Sequence, residues 1–437
     1  IKWSALFKFL FEYMDHPQDY NDDIQLNVDS MESVLSICKL FGKTKPRIIY
    51  NAIIWNIFIK YLHELDFIFR ELTVDEKLGV LVGKEYRKSY ESLKWKECIQ
   101  DLTVKDPFKF GLEYYMLENT RAEEEIKEME IYMKELLKTT EEIYSEKEWI
   151  DDFSKEILIS KVNNMKFRIG YTNSSLITPI LAEMFSQLKV TDSYVKNIIE
   201  ADKYVFKDDF FEEISSELKI KHFEIFEVNA HYSDENTGLM TIPLGIMLPP
   251  YYSRGAPRYL NYGGIGTTIA HEISHGFHPL ESIKINMGKN NQKIDLPKQF
   301  LQEFNKRKNC LTNQYTKVRS EGNTPVLGNF TIAEDFADNS GLVIGFRAYE
   351  KYLQQNKKEP KLPGLNFTNK QMFFIEFAQI KCEKDESVTE FKLMFDGHSS
   401  SKDRIMVPLM NLPEFSKIFS CPSNSYMNPQ QKCKIWD

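Results

Sequence analysis

"IAHEISHGF", Ile269–Phe277, sets His271 and His275 four residues apart, with Glu272 beside the first. On a helix, residues i and i+4 share one face, about a turn apart. Both imidazoles can then meet one metal ion, and Glu272 projects to the side, close enough to hold a water molecule there. An ordinary amphipathic helix can carry the same letters. The rest of the chain must therefore supply what a catalytic zinc needs, a third protein ligand and an open position.

"TIAEDFADNSGL", Thr331–Leu342, offers that ligand. Glu334 and Asp338 are again i and i+4 on a plausible helix. Glu334 can complete a His2Glu set, and Asp338 can accept the second N–H of a ligating histidine, fixing its tautomer and raising its basicity. Read alone, the stretch is an acidic, solvent-facing helix; the first motif gives it a second meaning. Three visible protein ligands with an acid beside them do not make a closed, four-ligand structural zinc site.

A chain of 437 residues is long for one core, so two domains are expected. Its hydrophobic fraction of 42% and charged fraction of 27% are those of a folded protein. A net charge of −8 argues against a nucleic-acid binder, which carries a basic patch or stripe. No apolar run reaches the roughly 18 residues of a membrane-spanning helix. The first residues, "IKWSALFKFLFEYMDHPQDY", lack the charged leader and cleavage site of a secretory signal and read as a helix already under way. The chain is expected to be a mature product or a piece of something longer.

Residues 1 to about 170 read as helical. In "NIFIKYLHELDFIFREL", Ile57, Phe58, Tyr61, Leu62, Leu65, Ile68, Phe69 and Leu72 recur at steps of three and four. From Arg121 to about Lys166 runs a charged amphipathic stretch with Ile126, Met129, Met133, Leu136 and Leu137 on its apolar side. It reads as the solvated face of a bundle, without chemistry. The turn-rich "RIGYTNSSLITP" near Gly170 places a domain boundary, giving 1–170 and 171–437. Beyond it, "FEIFEVNAHYS" and "GLMTIPLGIML" flank the turn-like "DENTG" and read as a strand pair.

The cysteines Cys38, Cys98, Cys310, Cys382, Cys421 and Cys433 form no CxxC pair, which disfavours a zinc knuckle or a thioredoxin-type site. Their even number, with N-x-[ST] sequons at Asn173, Asn329 and Asn366, points to an oxidising, extracellular setting.

"VNAHY", "NYGGIGTTIAHEISHGF", "AEDFADNSGL", "FFIEFAQIKC", "DGHSSSKDR" and the terminal "CKIW" follow the order seen in the neprilysin and endothelin-converting-enzyme family of zinc metallopeptidases. The resemblance is thin in the helical first part and dense from Phe223 onward. It implies a mostly α fold with a small β part: a thermolysin-like zinc peptidase domain preceded by a partial helical lid. It also implies zinc, one per chain, held by His271, His275 and Glu334, with Glu272 as general base and Asp338 orienting a ligand histidine. Asn229 and Ala230 match the residues that bind the substrate backbone. His398 matches an oxyanion-stabilising histidine, and Arg404 an arginine that grips a substrate carbonyl or carboxylate. Each role is physically sensible: an extended peptide can add to a sheet edge, a metal-activated water can lose its proton to Glu272, and a histidine donor can stabilise an oxyanion.

The chain departs from the family in several places. His278 stands where an aspartate is usual; it could perturb the site or bind a second metal, though a plain loop histidine is the simpler reading. Thr267 and Thr268 replace an apolar pair. Lys381 replaces a tryptophan that, with the position of Ile380, lines the pocket for the residue after the cut. A lysine stem can cover apolar surface and send its charge to water, or it can bias the pocket towards acidic side chains. An altered specificity is expected. Family lids are nearly twice the size of residues 1–170 and follow an anchor or signal, so by resemblance this chain starts midway through the lid. Cys310 and Cys433 match a family disulfide; Cys98, Cys382 and Cys421 match cysteines whose partners lie upstream, and Cys38 matches none. The reading is a zinc endopeptidase for short peptides, secreted or from a membrane-anchored ectodomain. The alternative is a catalytically weak or inactive peptide-binding protein on the same fold.

Overall fold

The computed structural model describes residues 2–13, 21, 30–62, 99, 102–103, 108–119, 122–170, 182, 185–186, 188–212, 225–233, 238–278, 282–286, 291–321, 331–356, 359–383 and 397–436. These are mostly helical, with a small sheet, as expected. Packing divides the chain into two compact units, residues 1–115 with 174–221, and 116–173 with 222–437.

The first unit carries the helices Trp3–Tyr13, Met31–Lys43, Pro46–Lys60 and Tyr194–Glu212. Ser30 caps the second, its Oγ accepting from Ser33 N at 3.3 Å, which satisfies one of the free amides of a first turn. Pro46 begins the third, where a missing N–H costs nothing. The helix expected over 56–72 is present to Lys60; positions 63–72 lie outside the described residues.

In the second unit the charged stretch forms the helix Glu123–Glu146, which buries Met129, Tyr132, Met133, Leu136, Ile143 and Tyr144. Its expected apolar side, Ile126, Met129, Met133, Leu136 and Leu137, packs in the core, and much of its charged face is exposed. Its Glu128 and Glu135 accept hydrogen bonds from the hydroxyls of Tyr252 and Tyr262. Asp151 caps the next helix, Asp152–Asn164, accepting from Ser154 N at 3.0 Å.

Strand β1 (Lys166–Gly170) pairs in parallel with β3 (Leu239–Pro243), and β2 (His231–Ser233) pairs antiparallel with β3, in the order β1-β3-β2. The expected strand pair is thus β2 and β3, with positions 234–237 of the turn outside the described residues. A boundary at residue 170 differs from the packing division. Strand β1 is bonded to the centre of the sheet, and the helices before it pack into the same core. A second hairpin pairs β4 (Ser282–Asn286) with β5 (Asn291–Asp295).

Two long helices complete the frame, Lys298–Glu321 and the acidic helix Ile332–Gln355, followed by Asn369–Gln379 and Ser401–Asn411. Thr368 closes a capping box with Gln371 on the third, and Ser400 caps the fourth. The terminal "CKIW" explains itself here. Trp436 is buried against Tyr144, Phe304 and Phe336, and its Nε1 donates to Ser340 Oγ of the acidic helix at 3.1 Å. Cys433 is bonded to Cys310, closing the expected disulfide. Cys38, Cys382 and Cys421 are free thiols. Cys98 lies outside the described residues, as do Asn173 and Asn329, whereas Asn366 is exposed. No helix among the described residues is long and apolar enough to cross a membrane.

Candidate metal centre

The motif occupies the helix Thr267–His275, which continues a helical turn, Arg258–Asn261, through a π-helical stretch, Tyr262–Gly266. Two glycines allow its neighbours to come close. A Cβ on Gly264 would lie 2.3 Å from the carbonyl oxygen of Tyr251, and one on Gly341 would lie 2.7 Å from His271 N. The acidic helix therefore touches the motif helix backbone to backbone, and its first two turns bring Glu334 and Asp338 to the histidines. Thr267 and Thr268 turn their hydroxyls back to carbonyls of their own helix, Thr267 Oγ1 donating to Gly263 O at 2.7 Å and Thr268 Oγ1 to Gly264 O at 3.3 Å.

His271 Nε2 and His275 Nε2 face each other at 3.0 Å. Glu334 Oε2 lies 3.1 Å from the first and Glu334 Oε1 3.4 Å from the second. Two imidazole nitrogens and a carboxylate thus converge on one point, all within 4.8 Å of one another. The set fits zinc in kind, and in size too: bonds of about 2.0–2.1 Å at tetrahedral angles set ligand atoms roughly 3.4 Å apart. His271, His275 and Glu334 form the metal-capable group among the described residues; His278 is not in it.

The two histidines differ in how readily they hold a proton. Burial opposes charge on His271, but hydrogen bonds to Asp338 and Glu334 prevail and raise it to about 9. Burial, then the charge of His271, pushes His275 down to about 4. Burial would also raise Glu334; the hydrogen bonds from His271 and His398 instead hold it well below the usual carboxylate range. Glu272, 5% exposed, is pushed up to about 7 by burial, with Glu334 adding to the effect.

Asp338 sits behind His271, its Oδ1 3.0 Å from Nδ1, off the straight N–H···O line. Arg404 binds Asp338 with two hydrogen bonds, Nε to Oδ2 at 2.6 Å and Nη2 to Oδ1 at 2.9 Å. Burial alone would raise Asp338; Arg404, Lys381 and His271 hold it well below its ordinary value. Of the two readings of Lys381, the ammonium does not follow the one that sends it to water. It lies 3.4 Å from Asp338 Oδ1, with the side chain 18% exposed. The turn that ends the Asn369–Gln379 helix at Ile380 aims it inwards, where a buried carboxylate attracts it.

His398 Nε2 is 3.1 Å from Glu334 Oε2. Asn229 is exposed and Ala230 buried, directly before β2, which forms one edge of the sheet. His278 packs against Phe336, its ring nitrogens buried without a hydrogen-bond partner among the described residues. Burial, with Lys308 adding, pushes it down to about 4, which marks it as a neutral packing residue. Every residue assigned to the site from the sequence lines one cleft of about 510 Å³.

Sequence reasoning missed a buried support beneath this cleft. Arg319 donates to Thr331 Oγ1 at 2.5 Å, to Asp335 Oδ2 at 3.1 Å and to Ser399; Ser399 in turn donates to Asp335. The network ties the residue after Glu334 to the residue after His398. Adjacency to two site residues was the available signal, but Arg319 carries no local mark.

The sequence model of peptidase family M13 matches residues 229–435, and its N-terminal counterpart, of the same family, matches residues 1–172. Neprilysin-11 of Caenorhabditis elegans is 29% identical over 423 residues, 95% of this chain and 49% of that protein. Human endothelin-converting enzyme 1 is 29% identical over 441 positions, covering 100% of this chain and 55% of that protein. The chain thus spans about half the length of the curated relatives it matches. Among solved structures, the Mycobacterium tuberculosis zinc metalloprotease ZMP1 in complex with an inhibitor shares the fold with a TM-score of 0.68 at 22% identity, over 88% of this chain and 57% of that one. Two family models along one chain, and a His-His-Glu cluster within residues 229–435, lead to one assignment: the chain belongs to peptidase family M13.

Proposed function

We propose that this chain acts as a zinc-dependent endopeptidase on short peptides, with Glu272 as general base. The observation that carries the reading is the convergence of His271, His275 and Glu334 on one point of a cleft whose wall also holds Glu272. When bound there, zinc supplies Lewis-acid polarisation of a carbonyl oxygen and acidifies a water molecule. Glu272 takes the proton of the attacking water on a carboxylate oxygen and returns it to the leaving amine nitrogen. Asp338 keeps the proton of His271 on Nδ1, so that Nε2 presents a lone pair. His398 donates from Nε2 to the developing oxyanion. Arg404 spends Nε and Nη2 on Asp338, and its Nη1 is the donor assigned to a substrate carbonyl. A peptide strand lies along β2, with Asn229 and Ala230 meeting its backbone and Ile380 and Lys381 lining a side-chain pocket.

The residues before position 116, which belong to the first unit, are proposed as part of a lid, and the chain as an extracellular protein, secreted or held by an anchor elsewhere. The test is mass-spectrometric profiling of a mixed peptide library with and without a zinc chelator. Chelator-sensitive cuts are expected. Glu272→Gln should retain zinc by metal analysis and lose roughly 10²–10⁴-fold in cleavage. Zinc and peptide binding without cleavage, in the unaltered chain, would replace this reading with that of a peptide-binding protein.

A further inference from the structure

Asp338 Oδ1 faces three donors: Arg404 Nη2 at 2.9 Å, His271 Nδ1 at 3.0 Å and Lys381 Nζ at 3.4 Å. A carboxylate oxygen offers about two lone-pair sites. Arg404 takes one with the shorter hydrogen bond, His271 crowds the same oxygen off the hydrogen-bond line, and the contact of Lys381 is the longest of the three. An ammonium carries three N–H donors. Asp338 engages one, and no other acceptor pairs with Nζ among the described residues.

This surplus cation lies on the cleft wall. The Lys381 side chain is 18% exposed, and Nζ stands 5.7 Å from the centre of the Phe377 ring. Phe377 and Ile380 line the same cleft, Ile380 largely buried. Burial lowers the pKa of Lys381, Asp338 opposing and Arg404 adding to the fall. An ammonium in this position is incompletely compensated, and an anion brought to it gains charge-assisted hydrogen bonds. The two apolar residues suit the methylene stem that would carry that anion.

We propose that Phe377, Ile380 and Lys381 form a subsite for a carboxylate of the bound peptide, which makes Lys381 a specificity-determining residue of the cleft. The inference rests on the peptidase reading for what is cut, but not for what is bound. The carboxylate can belong to an acidic side chain or to the free C-terminus of a short peptide, and the two are separable.

The test uses the full chain carrying Glu272→Gln and loaded with zinc, so that peptides stay intact, and measures binding by calorimetry. The probes are blocked, amidated alanine hexapeptides with Glu or Gln at the fourth position, and the Gln peptide with a free C-terminal carboxylate. The Glu peptide should bind roughly tenfold or more tightly than its Gln twin, from hydrogen bonds to a charged group. If the free-acid Gln peptide gains instead, the carboxylate is the C-terminal one. In either case Lys381→Met should reduce the preference to below about twofold, and Lys381→Arg should restore most of it. Equal binding of charged and neutral peptides, or a preference that survives Lys381→Met in a chain that still holds zinc, overturns the proposal. Cleavage by the chain with Glu272 intact is read separately. Failure to cleave removes the peptidase reading and leaves the binding result standing.

Discussion

Two helices of similar prominence in the sequence meet opposite fates. "PRIIYNAIIWNIFIK", Pro46–Lys60, is rich in isoleucine and aromatic residues, yet buries none of them in the first unit. Tyr50 is 65% exposed and Trp55 57%. "EEEIKEMEIYMKELLKTTEEIYSE", Glu123–Glu146, is the most charged stretch of the described chain, yet it contributes Tyr132, Leu136 and Tyr144 to the core of the second unit. Apolar content measures what a helix gains from a partner. The partner itself is decided by the rest of the fold. The charged helix has one: Tyr144 packs on Phe277 and Trp436, and Tyr132 on Tyr262.

The sharpest way to break this comparison is to empty the core under the charged helix. Tyr144→Ala should cost about 3–5 kcal/mol, the range for deleting a buried aromatic side chain, read by denaturant unfolding of the second unit. A loss below about 1 kcal/mol would mean that the helix contributes little. Removing the disulfide by Cys310→Ser should cost about 2–5 kcal/mol, since the bridge joins positions 123 apart in sequence. Unchanged denaturation with and without reductant would refute that. Ser399→Ala should be milder and local. It removes a hydroxyl from the Arg319–Asp335 network beneath His398 and, at about 1 kcal/mol per hydrogen bond, should lower kcat roughly fivefold with KM little changed. A KM effect alone would place Ser399 in binding rather than in positioning His398. The smallest effect is expected on the exposed helix: Trp55→Ala should change stability by less than about 0.5 kcal/mol. A loss above 2 kcal/mol would show that this face is covered in the working protein and would erase the contrast.

A similar contrast runs through the site. His271, His275 and Glu272 are legible because their spacing is local; one helical turn places them whatever surrounds the helix. Glu334 and Asp338 repeat that spacing, and donor chemistry suggests their partnership. Lys381 was half legible. Its charge was visible at a pocket position, but its direction depends on Asp338, which lies 43 positions away. Arg404 was assigned to a substrate, while two of its donors are engaged by the same carboxylate. His278, three residues beyond the helix, carries the same imidazole as the candidate ligands and is packed against Phe336. No local rule separates a ligand from a packed histidine.

The sequence by itself determined the metal-capable triad, the acid beside it, the mostly helical class, the strand pair and the Cys310–Cys433 bridge. All of these rest on short-range spacing or on an ordered set of motifs. Only the tertiary structure decided which partners the charged helix meets, that Lys381 faces inwards, and that Arg319 bonds Ser399, the residue after His398. Those outcomes depend on which buried charges find each other. Burial makes each unpaired charge costly, and the pairing that removes that cost joins residues far apart in the chain.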